Sequence, residues 1–171
     1  INPDGVYLRI TAKAKDRASA LHLIDQSEGQ IRSILGPYIW GADDDTPGSV
    51  IGDLLRARKW GLASMESCTK GLLCSTIANG RESCTYFSGG LLAVSDEAKA
   101  ARGLDPAIMD GYGKESIQVA SAMAEIARTD FRTDVGIGVG GNLDSDTNTG
   151  EAFVGLSSHG FEKSFSHRLR G

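Results

Sequence analysis

Leu62-Ala63-Ser64-Met65, followed by Glu66-Ser67-Cys68-Thr69-Lys70-Gly71, is the stretch on which the fold turns. The first four residues read as a short strand. The next six close it and open a helix over 69–78, with Leu72, Leu73 and Ile77 on the buried side. Further along, 86–95 reads as a second strand with a continuous apolar centre, Leu91-Leu92-Ala93-Val94, closed by Ser95-Asp96-Glu97-Ala98-Lys99. Such continuity is expected when helices cover both faces of a sheet. A strand that ends in small hydroxyl residues and runs into a helix leaves N–H groups and hydroxyls facing one spot. A lysine ending the neighbouring strand reaches that spot as a base for a serine. Ser67 and Lys99 are therefore the candidate nucleophile and base.

Working outward, Ser49 reads as the N-cap of a helix carrying Val50, Ile51, Leu54 and Leu55. Before it, Gly41-Ala42-Asp43-Asp44-Asp45-Thr46-Pro47-Gly48 is acidic and turn-rich, and it marks a boundary near residue 45. The division is a small segment, 1–45, and a larger domain, 46–171. In the small segment, 6–14 alternates apolar and polar residues with the period of a half-buried strand. Asp16 then caps a helix with an apolar stripe of Leu21, Ile24, Ile31 and Leu35; Gly36-Pro37 stops it and 38–40 reads as a second short strand. In the larger domain, 104–109 is a short helical excursion. Ser116 caps the longest helix, whose Ile117, Ala120, Ala124 and Ala127 share a face suited to close sheet contact. Strands follow at 135–139, 152–157 and 161–165, with an antiparallel hairpin near the end. Helices alternating with strands argue for an α/β sandwich.

The chain has 171 residues and a net charge of −4, so bulk electrostatics give no support to nucleic-acid binding. No apolar run approaches a membrane span, and no signal peptide is visible. Cys68, Cys74 and Cys84 are odd in number and lack CxxC spacing, as expected of a reduced cytoplasmic protein. The three histidines are scattered, so no metal and no cofactor are expected. The segment 144–150 alternates acidic and amide side chains but lacks the glycine and glutamate of a calcium loop, and reads as a polar loop. The first residue is Ile1 rather than Met, which suggests a piece of a longer protein.

From about residue 49 onward the sequence resembles the C-terminal domain of the CinA family of competence/damage-inducible proteins, itself similar to stand-alone nicotinamide-nucleotide amidases. The residues that carry the resemblance are Leu54-Leu55-Arg56, Glu66-Ser67-Cys68-Thr69-Lys70-Gly71, Tyr86-Phe87-Ser88-Gly89-Gly90, Ser95-Asp96-Glu97-Ala98-Lys99, Met123-Ala124 and Asp134-Val135-Gly136. Residues 1–45 resemble part of the family's KH-like middle domain, through Leu8-Arg9-Ile10-Thr11-Ala12-Lys13-Ala14 and Tyr38-Ile39-Trp40-Gly41. That segment has five basic and seven acidic residues and no GxxG loop, so RNA binding is not expected.

The resemblance implies a three-layer α/β/α sandwich with a small α+β KH-like segment before it. It also implies a homodimer, no membrane or nucleic-acid partner, and hydrolysis of nicotinamide mononucleotide, a small pyridine nucleotide, to nicotinic acid mononucleotide and ammonia. Ser67 takes the place of the family's nucleophile and Lys99 that of its lysine base. Glu66, Thr69, Lys70, Gly71, Ser83 and Cys84 would line the substrate. N–H groups at the start of the Thr69 helix would hold an oxyanion or a phosphate.

Several positions depart from the family pattern. Val94 stands where a tyrosine precedes the lysine motif, Cys84 replaces a serine, and Lys70 replaces a glycine. The glycine-rich turn at 141–145 and the strand entry at 150–155 are rewritten, and the family's last helix is missing after Leu169-Arg170-Gly171. Two readings stay open: an amidase with reduced or altered activity, and a catalytically silent domain used for dimerisation or nucleotide sensing. Taken alone, Ser67 and Thr69 also suit plain helix capping, and Lys99 a solvated strand end.

Overall fold

The computed structural model describes residues 5–144 and 149–169. Five strands form one sheet in the order β2-β1-β3-β4-β5: β1 (Leu62–Glu66), β2 (Phe87–Leu92), β3 (Val135–Asp144), β4 (Thr149–Ser158) and β5 (Phe161–Leu169). β1 pairs in parallel with both β2 and β3, and β3-β4-β5 continue as an antiparallel meander. The hairpin near the end is thus present.

Helices cover both faces, which makes the domain an α/β/α sandwich. On one face, α2 (Pro47–Arg58) and α3 (Leu72–Ala78) enclose Leu55, Leu62, Ile77 and Tyr86. On the other, α4 (Asp96–Ala101), α5 (Pro106–Tyr112) and α6 (Ile117–Asp130) enclose Ala63, Met65, Ala93, Leu104, Met109, Val119, Met123 and Ala127. Successive residues of β1 point to opposite faces, so Leu62 enters the first core and Ala63 the second. Each fully buried Leu, Ile or Met contributes about 1.5–3 kcal/mol.

The helix over 117–130 starts as expected: Ser116 Oγ accepts the Val119 N–H at 3.2 Å. Its alanines let it lie almost on the sheet. A Cβ on Gly136 or Gly138 of β3 would fall 2.0 Å from the Ala124 carbonyl oxygen or 2.1 Å from that of Ala120. The close approach exists because neither partner carries bulk.

The N-terminal segment departs from expectation. α1 (Arg17–Leu35) forms, with the Asp16 carboxylate accepting the Ser19 N–H at 2.8 Å, yet none of its residues is buried. Residues 6–14 form no strand, and Val6 and Leu8 lie exposed. An alternating pattern becomes a strand only beside a neighbour, and no strand of the sheet pairs with it. Residues 36–38 form a 3-10 turn instead of starting a strand, because Pro37 fixes a helical φ there.

Three smaller corrections follow. Thr46, not Ser49, is the N-cap of α2; Ser49 is its capping-box partner, and Pro47 takes the first helical position. β2 is an edge strand whose burial alternates, leaving Leu92 exposed, as is Val94 just beyond it, so the apolar run does not mean cover on both faces. Lys99 lies within α4, which Ser95 caps, rather than at a strand end. Among the described residues no helix is long and apolar enough to cross a membrane.

Candidate active site

The carboxyl ends of the parallel strands β2, β1 and β3 converge on one edge of the sheet. β1 has its first crossover partner, β2, on one side and the later strand β3 on the other. Open α/β sheets bind ligands at the carboxyl edge beside such a reversal. Ser67 is the first residue beyond β1. Its N–H donates to the Val139 carbonyl of β3 at 2.9 Å, and the Ala93 N–H donates to the Glu66 carbonyl at 2.8 Å, so all three strand ends are tied together. Ser67 is buried, and its hydroxyl makes no hydrogen bond with another described residue.

Glu66 points its carboxylate into the first turn of α3. It accepts the Leu73 N–H at 3.0 Å, the Cys74 N–H at 2.7 Å and the Thr69 hydroxyl at 2.6 Å. Gly71, at the N-cap position of α3, has no side chain to do this work, so a strand residue caps the helix from outside. Two helix-start N–H groups expected to hold an oxyanion or phosphate are thereby already taken. Lys70 and Gly71 make the strand-to-helix turn, with φ of 52° and 94°. Glycine adopts both values freely; lysine adopts the first at a cost.

Lys99 has no exposed surface. Its Nζ donates to Glu115 Oε1 at 2.6 Å and to the Lys114 carbonyl at 3.1 Å, with Asp96 Oδ1 at 3.8 Å. Asp96 is itself held by Lys114 Nζ at 2.6 Å, and this hydrogen bond, more than the nearby charge, keeps its carboxyl below the usual aspartate range. The other oxygen of Glu115 accepts the Gly141 N–H at 2.6 Å. Burial pushes the Cys68 thiol up, with the Glu115 charge adding to it, and burial then Glu66 do the same at Cys74. Neither cysteine is an activated thiolate.

The structure gathers Glu66, Ser67, Thr69, Lys70, Gly71 and Lys99 at this edge, but forms no hydrogen bond between Ser67 and Lys99, whose ammonium is engaged elsewhere. Ser83 and Cys84 are not part of the gathering. They lie on a 3-10 turn before β2, at the amino end of the strands, where the Leu62 N–H meets the Tyr86 carbonyl. They are separated from Ser67 by the length of β1, about 16 Å. Ser83 Oγ donates to the Ala78 carbonyl at 2.7 Å, and Cys84 is exposed. Glu115 escapes a reading of motifs because it sits in an unremarkable Lys114-Glu115-Ser116 run; its only sequence signal is its place just ahead of a helix cap. The clefts elsewhere include one of about 320 Å³ between α5, α6 and β4 and one of about 300 Å³ beside Trp40 and Leu54, neither of them at Ser67. No cluster of metal-ligating side chains occurs among the described residues, and the polar loop over 144–150 lies largely outside them.

Comparison with known proteins places this geometry in context. Residues 45–170 match the family model of the CinA C-terminal domain, and residues 1–41 that of the damage-inducible protein CinA KH domain. A competence-damage inducible protein of Moorella thermoacetica is 43% identical over 155 residues, covering 90% of this chain and 37% of that protein. One from Caldicellulosiruptor saccharolyticus is 32% identical over 175 residues, covering 99% of this chain and 43% of that protein. The chain therefore spans less than half the length of these curated relatives. Among solved structures, a CinA superfamily protein from Escherichia coli superposes with a TM-score of 0.68 at 24% identity, covering 78% of this chain and 83% of that one, a likeness of fold.

Proposed function

The chain belongs to the CinA family, and from that premise we propose that its 46–171 domain is an amidohydrolase of the nicotinamide mononucleotide deamidase type, with reduced or altered activity. Ser67 Oγ attacks the carboxamide carbon while Lys99, acting as the neutral amine, takes the hydroxyl proton and becomes the ammonium that Glu115 pairs. The C–N bond then breaks, the proton leaves with ammonia, and water releases nicotinic acid mononucleotide from the acyl-serine. Lys70, exposed at the turn, meets the nucleotide's phosphate. The chemistry calls for neither metal nor cofactor. A homodimer in the cytoplasm, without nucleic-acid or membrane partners, belongs to the same proposal.

The observation that carries this reading is the burial of Lys99. Removing an ammonium from water is costly unless it is paired. A lysine with no exposed surface, on the helix that follows β2 at the carboxyl edge where Ser67 also lies, supports a functional rather than a solubilising place.

A second reading, a catalytically silent domain used for dimerisation or nucleotide sensing, is favoured by the engagement of Lys99 with Glu115 and by the exposure of Val94. One experiment separates the two. Ammonia release from nicotinamide mononucleotide is measured for the parent chain and for Ser67→Ala, with thermal unfolding recorded in the presence of the nucleotide. Release by the parent and loss in Ser67→Ala, without loss of fold, supports the amidase. A folded parent that releases nothing yet is stabilised by the nucleotide is a sensor, since bound ligand raises stability by mass action.

A further inference from the structure

Resting on the reading of Lys99 as the proton acceptor, we infer that Glu115 is the positioning residue of this site: one carboxylate fixes Lys99 Nζ with one oxygen and the backbone of β3 at Gly141 with the other. The carboxylate bridges its two partners, with both contacts at 2.6 Å. Charge-assisted bonds of that length are the strong ones.

Three elements meet in the carboxylate. Glu115 directly precedes Ser116, whose hydroxyl caps α6, so the longest helix anchors it. Lys99 rides on α4, and its backbone carbonyl accepts from Leu104 N–H at 3.2 Å, which fixes the helix end. Gly141 belongs to β3, paired with Ala152 of β4. Glu115 thereby hydrogen-bonds to a residue of α4 and to one of β3.

The competing carboxylate is already committed. Asp96 stands 3.8 Å from Lys99 Nζ and gives its other oxygen to Lys114. The glycines fit the same purpose. A Cβ on Gly140 would come within 3.0 Å of Glu115 Oε2, and one on Gly141 within 2.4 Å of the Glu151 carbonyl oxygen, at a φ of 152° that side chains avoid. This stretch of β3 thus leaves room for a carboxylate and has no side chain of its own there. Glu115 also lies near the reacting end of β1, since its charge is felt at Cys68, beside Ser67. A lysine is a flexible base, and a misplacement of about 1 Å at a reacting group costs about 10²-fold in rate. Glu115 removes that freedom through Lys99 without touching the substrate.

The test uses the ¹⁵N-labelled chain with Glu115→Gln, Glu115→Ala and, as a control outside the network, Ser67→Ala. Two signals report the tie independently of activity: the amide proton of Gly141, shifted downfield by its short bond, and the Lys99 Nζ protons, protected from exchange. A glutamine has only one acceptor oxygen and no charge. Glu115→Gln is therefore expected to lose one of the two signals and keep the other, Glu115→Ala to lose both, and Ser67→Ala to keep both. If Glu115→Gln leaves both signals unchanged, the inference is overturned, whether or not the alanine variant folds.

The second arm follows ammonia release from nicotinamide mononucleotide. In Glu115→Gln kcat is expected to fall about 10²-fold with KM little changed, the pattern of a displaced base. An unchanged kcat beside a broken tie overturns the positioning role alone. A parent chain that releases no ammonia sinks the amidase reading, and the spectroscopic arm still decides whether Glu115 sets the place of Lys99.

Discussion

Lys70 occupies a left-handed conformation, φ 52°, in the turn between β1 and α3, where the family motif carries glycine. The steric cost of a side chain there is about 1–2 kcal/mol, partly offset because glycine frees the unfolded chain. Lys70→Gly is therefore expected to stabilise the protein by about 0.5–1 kcal/mol, read as a higher urea midpoint with the same slope. A lower midpoint would show that the lysine makes up for its strain with contacts. Residue by residue, the site was half legible. Ser67, Glu66 and Lys99 declared themselves through their motifs. What no motif conveys is where a charge spends its hydrogen bonds. Glu66 reads as a substrate ligand and turns out to cap α3, and Lys99 reads as a partner of Ser67 and turns out to pair with Glu115. The first pairing crosses seven and eight residues and the second sixteen, between elements whose meeting depends on the whole sheet.

At the scale of elements, the α6–β3 contact and the cap of α1 make opposite kinds of prediction. Gly138 of β3 lies so near α6 that a Cβ would stand 2.1 Å from the Ala120 carbonyl oxygen. Gly138→Ala must push helix from sheet and is expected to cost about 1–3 kcal/mol. Gly29 lies mid-helix in α1 with nothing within 4 Å, and Gly29→Ala should instead favour that helix by about 0.5–1 kcal/mol. Comparable losses in thermal or urea melts for both would contradict the close-packing account. The cap of α1 is a matter of pH. The Ser19 N–H holds the Asp16 carboxyl below its ordinary value of 3.8, so the folded helix favours the charged form. That contribution is fully present above the ordinary value and is lost as pH falls through the lowered one. NMR shifts of residues 17–20 should show the first turn fraying below about pH 4, and Asp16→Asn, an equally good cap without a charge, should remove the dependence. Periodicity found α1, α6 and the terminal hairpin because each shows its own pattern locally. It failed at 6–14 and 38–40, since a strand needs a neighbour that local sequence does not supply, and a proline outweighs a three-residue apolar run.

For the whole molecule, the distribution of burial predicts unequal stability. The two cores lie on either side of the sheet, from Leu55 to Ala127 in sequence, and contain no residue of α1. Leu21, Leu23, Ile34 and Leu35 of α1 are exposed, so the helix gains little from tertiary packing. Most helical stability in proteins comes from such packing rather than from propensity. α1 should therefore open far below the free energy of global unfolding, while β1 and α6 open only with the whole domain. Hydrogen exchange is expected to finish first in residues 17–35 and last in 62–66 and 117–130. Limited proteolysis should cut first near the acidic turn around residue 45, where Asp43 takes a φ of 51° in an exposed loop. The surviving 46–171 piece should melt at nearly the temperature of the intact chain, because residues 5–45 contribute no fully buried side chain to either core. A melting temperature several degrees lower, or protection in α1 equal to that in α6, would mean that the first forty-five residues and the sandwich fold as one unit, and the boundary read from composition would have no energetic meaning.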